Sequence, residues 1–309
     1  MSNTTDFALV RSYERIRSSQ RFQKRFSVGI RLVIAVLLIV FAIFPVLWII
    51  SASFDNANSL ATQSLIPPQA GVKNYERLFN LDPNFMFGDL NYWVWLWNSV
   101  KISGITTILS LTITTMAAYA FSRLRFAGRI TILKGILLIQ AFPNLLALVA
   151  IFLLVSQIGN IIPTLGLNSH AGLIMVYLGG SMGLNIWLMK GFLDTIPRAI
   201  DESGKVDGAT NWQIFTRLLL PLLRPILVVI GLLGFIGTYG DFLIARLLLN
   251  KVDQYTLMVG LQIFTAGMFD KKWGVFAAGA LIGALPILIL YLSLQDQIAG
   301  GLTMGAVKE

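Results

Sequence analysis

The feature that most limits what this chain can fold into is the recurrence of apolar runs about 20 residues long. A hydrocarbon layer about 30 Å thick is crossed by about 20 helical residues at 1.5 Å each. Six runs of that kind stand out, at roughly 32–51, 100–121, 132–155, 172–192, 222–239 and 275–294. Composition agrees: only 13% of the residues are charged and mean hydropathy is +0.73, whereas soluble domains carry about 25% charged residues. The expectation is an all-α membrane protein with six transmembrane helices. The first run follows a polar, basic stretch and exceeds the short apolar core of a signal peptide, so it reads as a retained span.

An even number of spans puts both termini on one side. Seventeen of the 24 Lys and Arg residues then share that side, in the arm that holds Arg11 to Arg31, around 123–134, around 190–224, and at Lys308. Positive charge stays inside, so the termini and the polar insert at 193–221 are expected in the cytoplasm. On this reading residues 1–29 are a basic arm, a solvated tail in preference to a surface helix. Residues 30–54 are the first span, and 55–97 an extracytoplasmic loop. Trp93, Trp95 and Trp97 read as an interfacial belt. That loop and a second, at 241–273, either receive a partner or cap the bundle. Gly231, Gly234, Gly237 and Gly240, with Gly179/Gly183 and Gly279/Gly283, point to close helix packing. Pro143 and Pro286 point to kinks.

The chain has no cysteine and a single histidine, His170. That excludes a disulfide framework, a thiolate site and a multi-histidine metal site. No phosphate-cradling G-x4-G-K-[ST] is present, and no H-E-x-x-H or G-x-S-x-G. No catalytic residue, metal ligand or cofactor site is therefore expected, and ATP hydrolysis would belong to another subunit. The spans hold almost no acids, which argues against coupling to an ion gradient, and no arginine-rich span that would sense voltage. The basic residues are dispersed around apolar segments, so nucleic acid is not an expected partner. Two readings survive: a passive channel or scaffold, or a passage driven through its polar insert.

The insert reads as two short helices broken at Asp207-Gly208, a turn-forming pair. Such a knob suits a helix-in-groove interface. Glu202, Ser203, Gly204, Gly208, Leu218, Leu220 and Pro221 stand at the spacing of E-A-A-x3-G-x9-I-x-L-P. The segment resembles the coupling motif of binding-protein-dependent ABC importers, departing from it at Ser203, Gly204 and Leu218. Gly204 weakens the first helix by up to about 1 kcal/mol relative to alanine. Asn74-Tyr75, Asn98-Ser99, Ala118-Tyr119-Ala120-Phe121-Ser122-Arg123, Tyr177-Leu178-Gly179-Gly180, Lys190-Gly191-Phe192 and Gly301-Leu302-Thr303 are similar to carbohydrate-import permeases. The last three of these are most similar to the maltodextrin branch of that family.

The resemblance implies a type I ABC importer permease fold. Its transmembrane core would span 98–295, with a coupling helix at about 198–217 and a cytoplasmic tail at 296–309. The implied partners are a homologous larger permease, two ATPase subunits that use ATP and Mg, an extracytoplasmic sugar-binding protein, and membrane lipid. The implied activity is translocation of oligosaccharides, maltose and maltodextrin first, by alternating access. Galacto-oligosaccharide, trehalose or glycerol phosphate is the alternative cargo. Glu202 would make a charge-assisted hydrogen bond into an ATPase cleft, flanked by Ser203, Gly204 and Ala209. Asp207 and Gly208 would form the turn, and Pro221 would end the knob. Gly300, Gly301 and Gly305 would let the tail run extended against the ATPase subunits. No sugar-contacting residue is assigned, and Tyr177 and Tyr239 read as packing residues rather than stacking platforms.

Overall fold

The computed structural model describes residues 3–57, 64–81, 91–140, 144–266 and 271–306, with side chains outside 3–26, 144–145 and 299–306. In chain order the helices are α1 (Asn3–Phe54), α2 (Lys73–Leu78), α3 (Tyr92–Arg123), α4 (Arg129–Gln140), α5 (Leu148–Ile161) and α6 (His170–Thr195). Then come α7 (Ala199–Val206), α8 (Asn211–Leu222), α9 (Arg224–Tyr239), α10 (Leu243–Leu248), α11 (Leu257–Gln262) and α12 (Trp273–Ala306). Among the described residues the only extended pairing is an isolated bridge between Asp55 and Ala70, so the all-α expectation holds.

Among the described residues, four helices are long and apolar enough to cross a membrane: Ser27–Phe54 of α1, α3, α6 and Trp273–Ile298 of α12. A fifth crossing exists only if α8 and α9 are taken together, and they meet at 75°. The expected third span is in pieces. Helices α4 and α5 have 12 and 14 residues, about 18 and 21 Å of rise, and neither alone crosses a 30 Å layer. A 3-10 turn at Asn144–Ala147 precedes α5, and Pro143 with its expected kink lies outside the described residues. Pro286 sits inside α12, which continues past it.

Both ends depart from expectation. The arm is helix rather than an irregular tail, and it runs unbroken from Asn3 into the first span. Between 3 and 28 there is no Pro or Gly to interrupt it, and Arg, Lys, Gln and Glu are good helix formers. The tail is not extended either: Gly300, Gly301 and Gly305 lie within α12. Each glycine weakens a helix by about 1 kcal/mol but keeps its N–H, and no proline follows Pro286 to stop the helix.

Helix α3 is the axis of the bundle, packed along α6 on one side and α9 on another. Its buried row is polar. Ser99, Ser103, Thr106, Ser110, Thr114 and Ser122 recur three to eight residues apart on one face, with Asn98 beside Ser99. Small hydroxyl side chains let α6 approach, and Ser110 and Ser181 meet at 3.2 Å. Apolar packing concentrates at the two ends. At the end away from the insert, Trp95, Ile102, Leu173, Tyr177, Tyr239 and Leu257 are buried together. At the insert end Ala118, Met189, Leu193, Ile214, Leu219 and Leu223 form a second cluster.

The far end is tied down by side chains that satisfy loop backbone. Asn98 Nδ2 donates to the carbonyls of Asp253 and Tyr255 at 2.9 and 3.0 Å. Ser99 Oγ accepts from Leu257 N at 2.7 Å, and His170 Nε2 lies 2.9 Å from Gln254 O. Outside the spans, the Gln254 side-chain amide donates to Asp253 and holds its carboxyl below the usual range. The tryptophan belt is narrower than expected. Trp93 and Trp97, four residues apart, are exposed, but Trp95 points to the opposite face and is buried. Its Nε1 donates to Val252 O at 2.9 Å. Its ring fills the space above Gly260, where any Cβ would fall 2.2 Å from it.

Candidate functional site

The knob begins where α6 ends. Ile196 precedes Pro197 and is extended, as steric clash with a proline ring demands. Helix α7 then carries Asp201 and Glu202 in its first turn and Lys205 in its last, which complements its dipole. It stops at Val206. Gly208 has φ +79, and this left-handed residue lets Gly208 N donate to Lys205 O at 3.0 Å and Ala209 N to Gly204 O at 2.9 Å. Helix α8 starts with a capping box: Thr210 Oγ1 accepts from Gln213 N, and Gln213 Oε1 accepts from Thr210 N. Two short helices with the break at Asp207-Gly208 are therefore present as the sequence predicts.

The two helices pack closely against each other at Gly204. A Cβ at Gly204 would sit 2.8 Å from Leu218 Cδ1 and 3.1 Å from Ile214 Cγ1. Gly204, which the resemblance places beside Glu202 at the coupling surface, is buried between α7 and α8. Glu202, Ser203 and Asp207 are exposed on the outer side. Val206, between them, is 87% exposed, an apolar side chain held in solvent at the tip. Ala209 is half-buried. Pro221 does not end the knob: it sits within the last turn of α8, and the bend follows at Leu223. A π-helical stretch at Ile214–Leu219 precedes it, with Leu220 N bonded to Phe215 O, so the register has already shifted before the residue that lacks an N–H.

Sequence reasoning missed how the knob is anchored. Asp201 and Glu202 look equivalent in the sequence, but adjacent helical residues point about 100° apart. Glu202 faces out, and Asp201 is buried against Arg123, the last residue of α3. Arg123 Nε lies 2.8 Å from Asp201 Oδ2, an ion pair without hydrogen-bond alignment, with side chains 7% and 12% exposed. Arg123 also donates from Nη2 to Ile196 O at 2.8 Å. Beside it, Ser122 Oγ donates to Asp194 Oδ1 at 2.6 Å, and Lys190 Nζ meets the other oxygen at 2.5 Å. One turn earlier, Tyr119 donates to Asn211 O at 3.2 Å. A cleft of about 310 Å³ lies between these residues, lined by Tyr119, Arg123, Arg198, Asp201, Glu202 and Lys205. The one signal in the sequence was that Arg123 closes the Ala118-to-Arg123 run.

Arg224 Nε donates to Gln297 Oε1 at 3.1 Å, which brings the end of α12 to the insert end of the bundle. Gly300, Gly301 and Gly305 follow beyond that point. Tyr177 and Tyr239 are buried and bonded, to Asp241 Oδ2 at 2.8 Å and to Gly283 O at 2.7 Å, in keeping with packing roles. Among the described residues no group of three acids or histidines could hold a metal.

A family model described as "binding-protein-dependent transport system inner membrane component" matches residues 110–299. The maltose/maltodextrin transport system permease protein MalG of Vibrio vulnificus (strain YJ016) is 46% identical over 271 residues, 86% of this chain and 90% of that protein. The protein of the same name from Escherichia coli (strain K12) is 42% identical over 270 residues, with the same shares. Two solved structures share the fold. A bacterial ABC transporter involved in the import of the acidic polysaccharide alginate superposes with a TM-score of 0.71 at 23% identity, over 88% of this chain and 96% of that one. A bacterial alginate ABC transporter in complex with an alginate pentasaccharide-bound periplasmic protein gives 0.60 at 17%, over 91% and 95%.

Proposed function

This chain belongs to the family of binding-protein-dependent transport system inner membrane components, and from that membership we propose that it is the smaller permease of an ATP-driven maltose and maltodextrin importer. It is a multi-pass membrane protein and a permease subunit rather than an enzyme. The observation that carries the docking role is the knob itself: a rigid helix pair, closed by Gly208, that exposes Glu202, Ser203, Val206 and Asp207 beyond the bundle. Bare valine flanked by charges is unfavourable in solvent and suits a partner's groove.

In this reading the knob and both termini are cytoplasmic. Glu202 and Asp207 meet one of two ATPase subunits, which supply the ATP and Mg. The helix end at Gly300, Gly301 and Gly305 lies against the same subunits. A larger homologous permease completes the pathway, and a sugar-binding protein docks on the opposite face. ATP binding closes the ATPase pair and moves this chain between inward- and outward-facing states, through contacts that differ between the two. Maltodextrin as cargo is supported by the 42–46% identity to relatives named for it.

The test is ATP hydrolysis by the reconstituted complex in lipid, with binding protein empty or loaded with maltotriose. Strong stimulation by the loaded form is expected. Stimulation by other sugars alone would discard maltodextrin and keep the importer. Sugar flux without ATP would favour a passive channel instead.

A further inference from the structure

The turn between α3 and α4 gathers positive charge that the chain leaves without a counter-ion. Leu124, which caps α3, is extended, and Gly128, at φ +81, turns the chain into α4. That turn sets Arg125 and Arg129 beside Arg198, the residue before α7, around one open cleft of about 520 Å³. Phe126, Ile130 and Thr131 complete its lining, and no acid is among the lining residues. Among the described residues none of the three arginines has an ion-pair partner. Asp201, which borders the adjoining cleft with Arg125 and Arg198, is already held by Arg123. Arg129 Nη1 donates to Leu124 O at 3.2 Å, which steadies the side chain without cancelling its charge. The first turn of α4 carries no acid either, so the positive end of its dipole adds to the field. Three like charges around one cleft repel, and a bound anion relieves that repulsion.

The surroundings select which anion. The apolar run of α4 starts at Ile130, so the cleft lies where that helix enters the membrane. Phe126, Ile130 and Ile132 are exposed beside the arginines, and no residue of α4 is buried in the bundle. A free phosphate would satisfy the charges and leave this apolar surface bare. A phospholipid has a part for each: an anionic head for the guanidinium groups and acyl chains for the helix face. We propose that the cleft binds the headgroup of an anionic phospholipid, its phosphate held between Arg125, Arg129 and Arg198 and its chains lying along Ile130 and Ile132. The planar fork of each guanidinium matches phosphate oxygens, which a lysine would meet only as a point charge. The lipid belongs to the leaflet on the knob side, the cytoplasmic one in the importer reading above; the inference rests on that reading for the leaflet alone, not for the site.

The test uses the full transporter, delipidated in detergent and titrated with phosphatidylglycerol, with phosphatidylcholine of the same chains, or with inorganic phosphate. Bound lipid is counted by native mass spectrometry, and the unfolding temperature is followed alongside. Saturable binding of phosphatidylglycerol is expected, with a matching rise in unfolding temperature and little binding of phosphatidylcholine. Arg125→Gln and Arg129→Gln should each weaken that binding about fivefold, the effect of one basic residue at an anionic membrane surface. Lys134→Gln removes the same charge from an exposed position of α4 outside the cleft, and should leave binding unchanged. Equal weakening by Lys134→Gln would overturn the proposal, because diffuse surface charge would then suffice. Equal binding of phosphatidylcholine would overturn it as well. Stabilisation by inorganic phosphate as large as that by phosphatidylglycerol would replace the lipid with a free anion. Loss of the ATPase subunits from Arg198→Gln, with lipid binding intact, would give the cleft to the ATPase instead. None of these outcomes bears on the importer reading, which sugar-stimulated ATP hydrolysis tests separately.

Discussion

Replacing Gly208 separates a backbone role for the turn from a steric one. Gly208 has φ +79, and a Cβ built there meets no atom within 4 Å in this chain. Any penalty inside the chain is therefore conformational. For an L-residue it is about 1–2 kcal/mol, less for Asn and more for a β-branched side chain. A strain of about 2 kcal/mol lowers the closed-turn population relative to competing turns by a factor of about 30. The bonds from Gly208 N to Lys205 O and from Ala209 N to Gly204 O are then lost together. The turn is local and exposed, so membrane insertion and bundle stability should not change. The assay is maltotriose uptake and stimulated ATP hydrolysis in proteoliposomes, at matched amounts of assembled complex. The expected order is Gly208, then Gly208→Asn, then Gly208→Ala, then Gly208→Val, with the valine variant severely uncoupled. An asparagine variant as impaired as the valine variant would refute the backbone argument, since the loss would then follow side-chain bulk.

Other consequences follow from particular contacts. Gly204→Ala should be nearly neutral, because Leu218 Cδ1 is the mobile end of its side chain and alanine favours helix by about 1 kcal/mol; Gly204→Leu should force α7 off α8 and abolish uptake in assembled complexes. Trp95→Ala should destabilise the protein by about 3–5 kcal/mol, read as a lower unfolding temperature in detergent, whereas Trp93→Ala and Trp97→Ala should change it little. Asn98→Leu removes the donor shared by the Asp253 and Tyr255 carbonyls; a loss of about 1–3 kcal/mol for unsatisfied buried groups should appear as faster amide exchange across 251–257.

Much of the architecture was legible before any coordinates. Apolar runs report membrane helices because backbone groups in hydrocarbon must bond within the segment, and runs one, two, four and six reappear as single helices of sufficient length. The Asp207-Gly208 break was legible for a local reason: a left-handed residue has few candidates. The split of the third run between α4 and α5 was legible only in part: Pro143 pointed to a kink, but hydropathy does not record where backbone hydrogen bonding is interrupted. The tail misled in the opposite sense, since its glycines suggested an extended path that a helix without proline did not take.

What the sequence determined by itself was therefore local: membrane class, the length of most helices, the knob and its turn, and the motif spacing that pointed to the family. Tertiary structure alone decided which side chains of each helix face inward. It turned Asp201 toward Arg123 and Glu202 toward solvent, sent Trp95 into the core between two exposed tryptophans, and bound Asn98 to a carbonyl 155 residues away. Those outcomes depend on pairings between distant segments. A helix carries the same periodic pattern whichever neighbour it meets, so only the packed bundle selects the face that is buried and the charge that is paired.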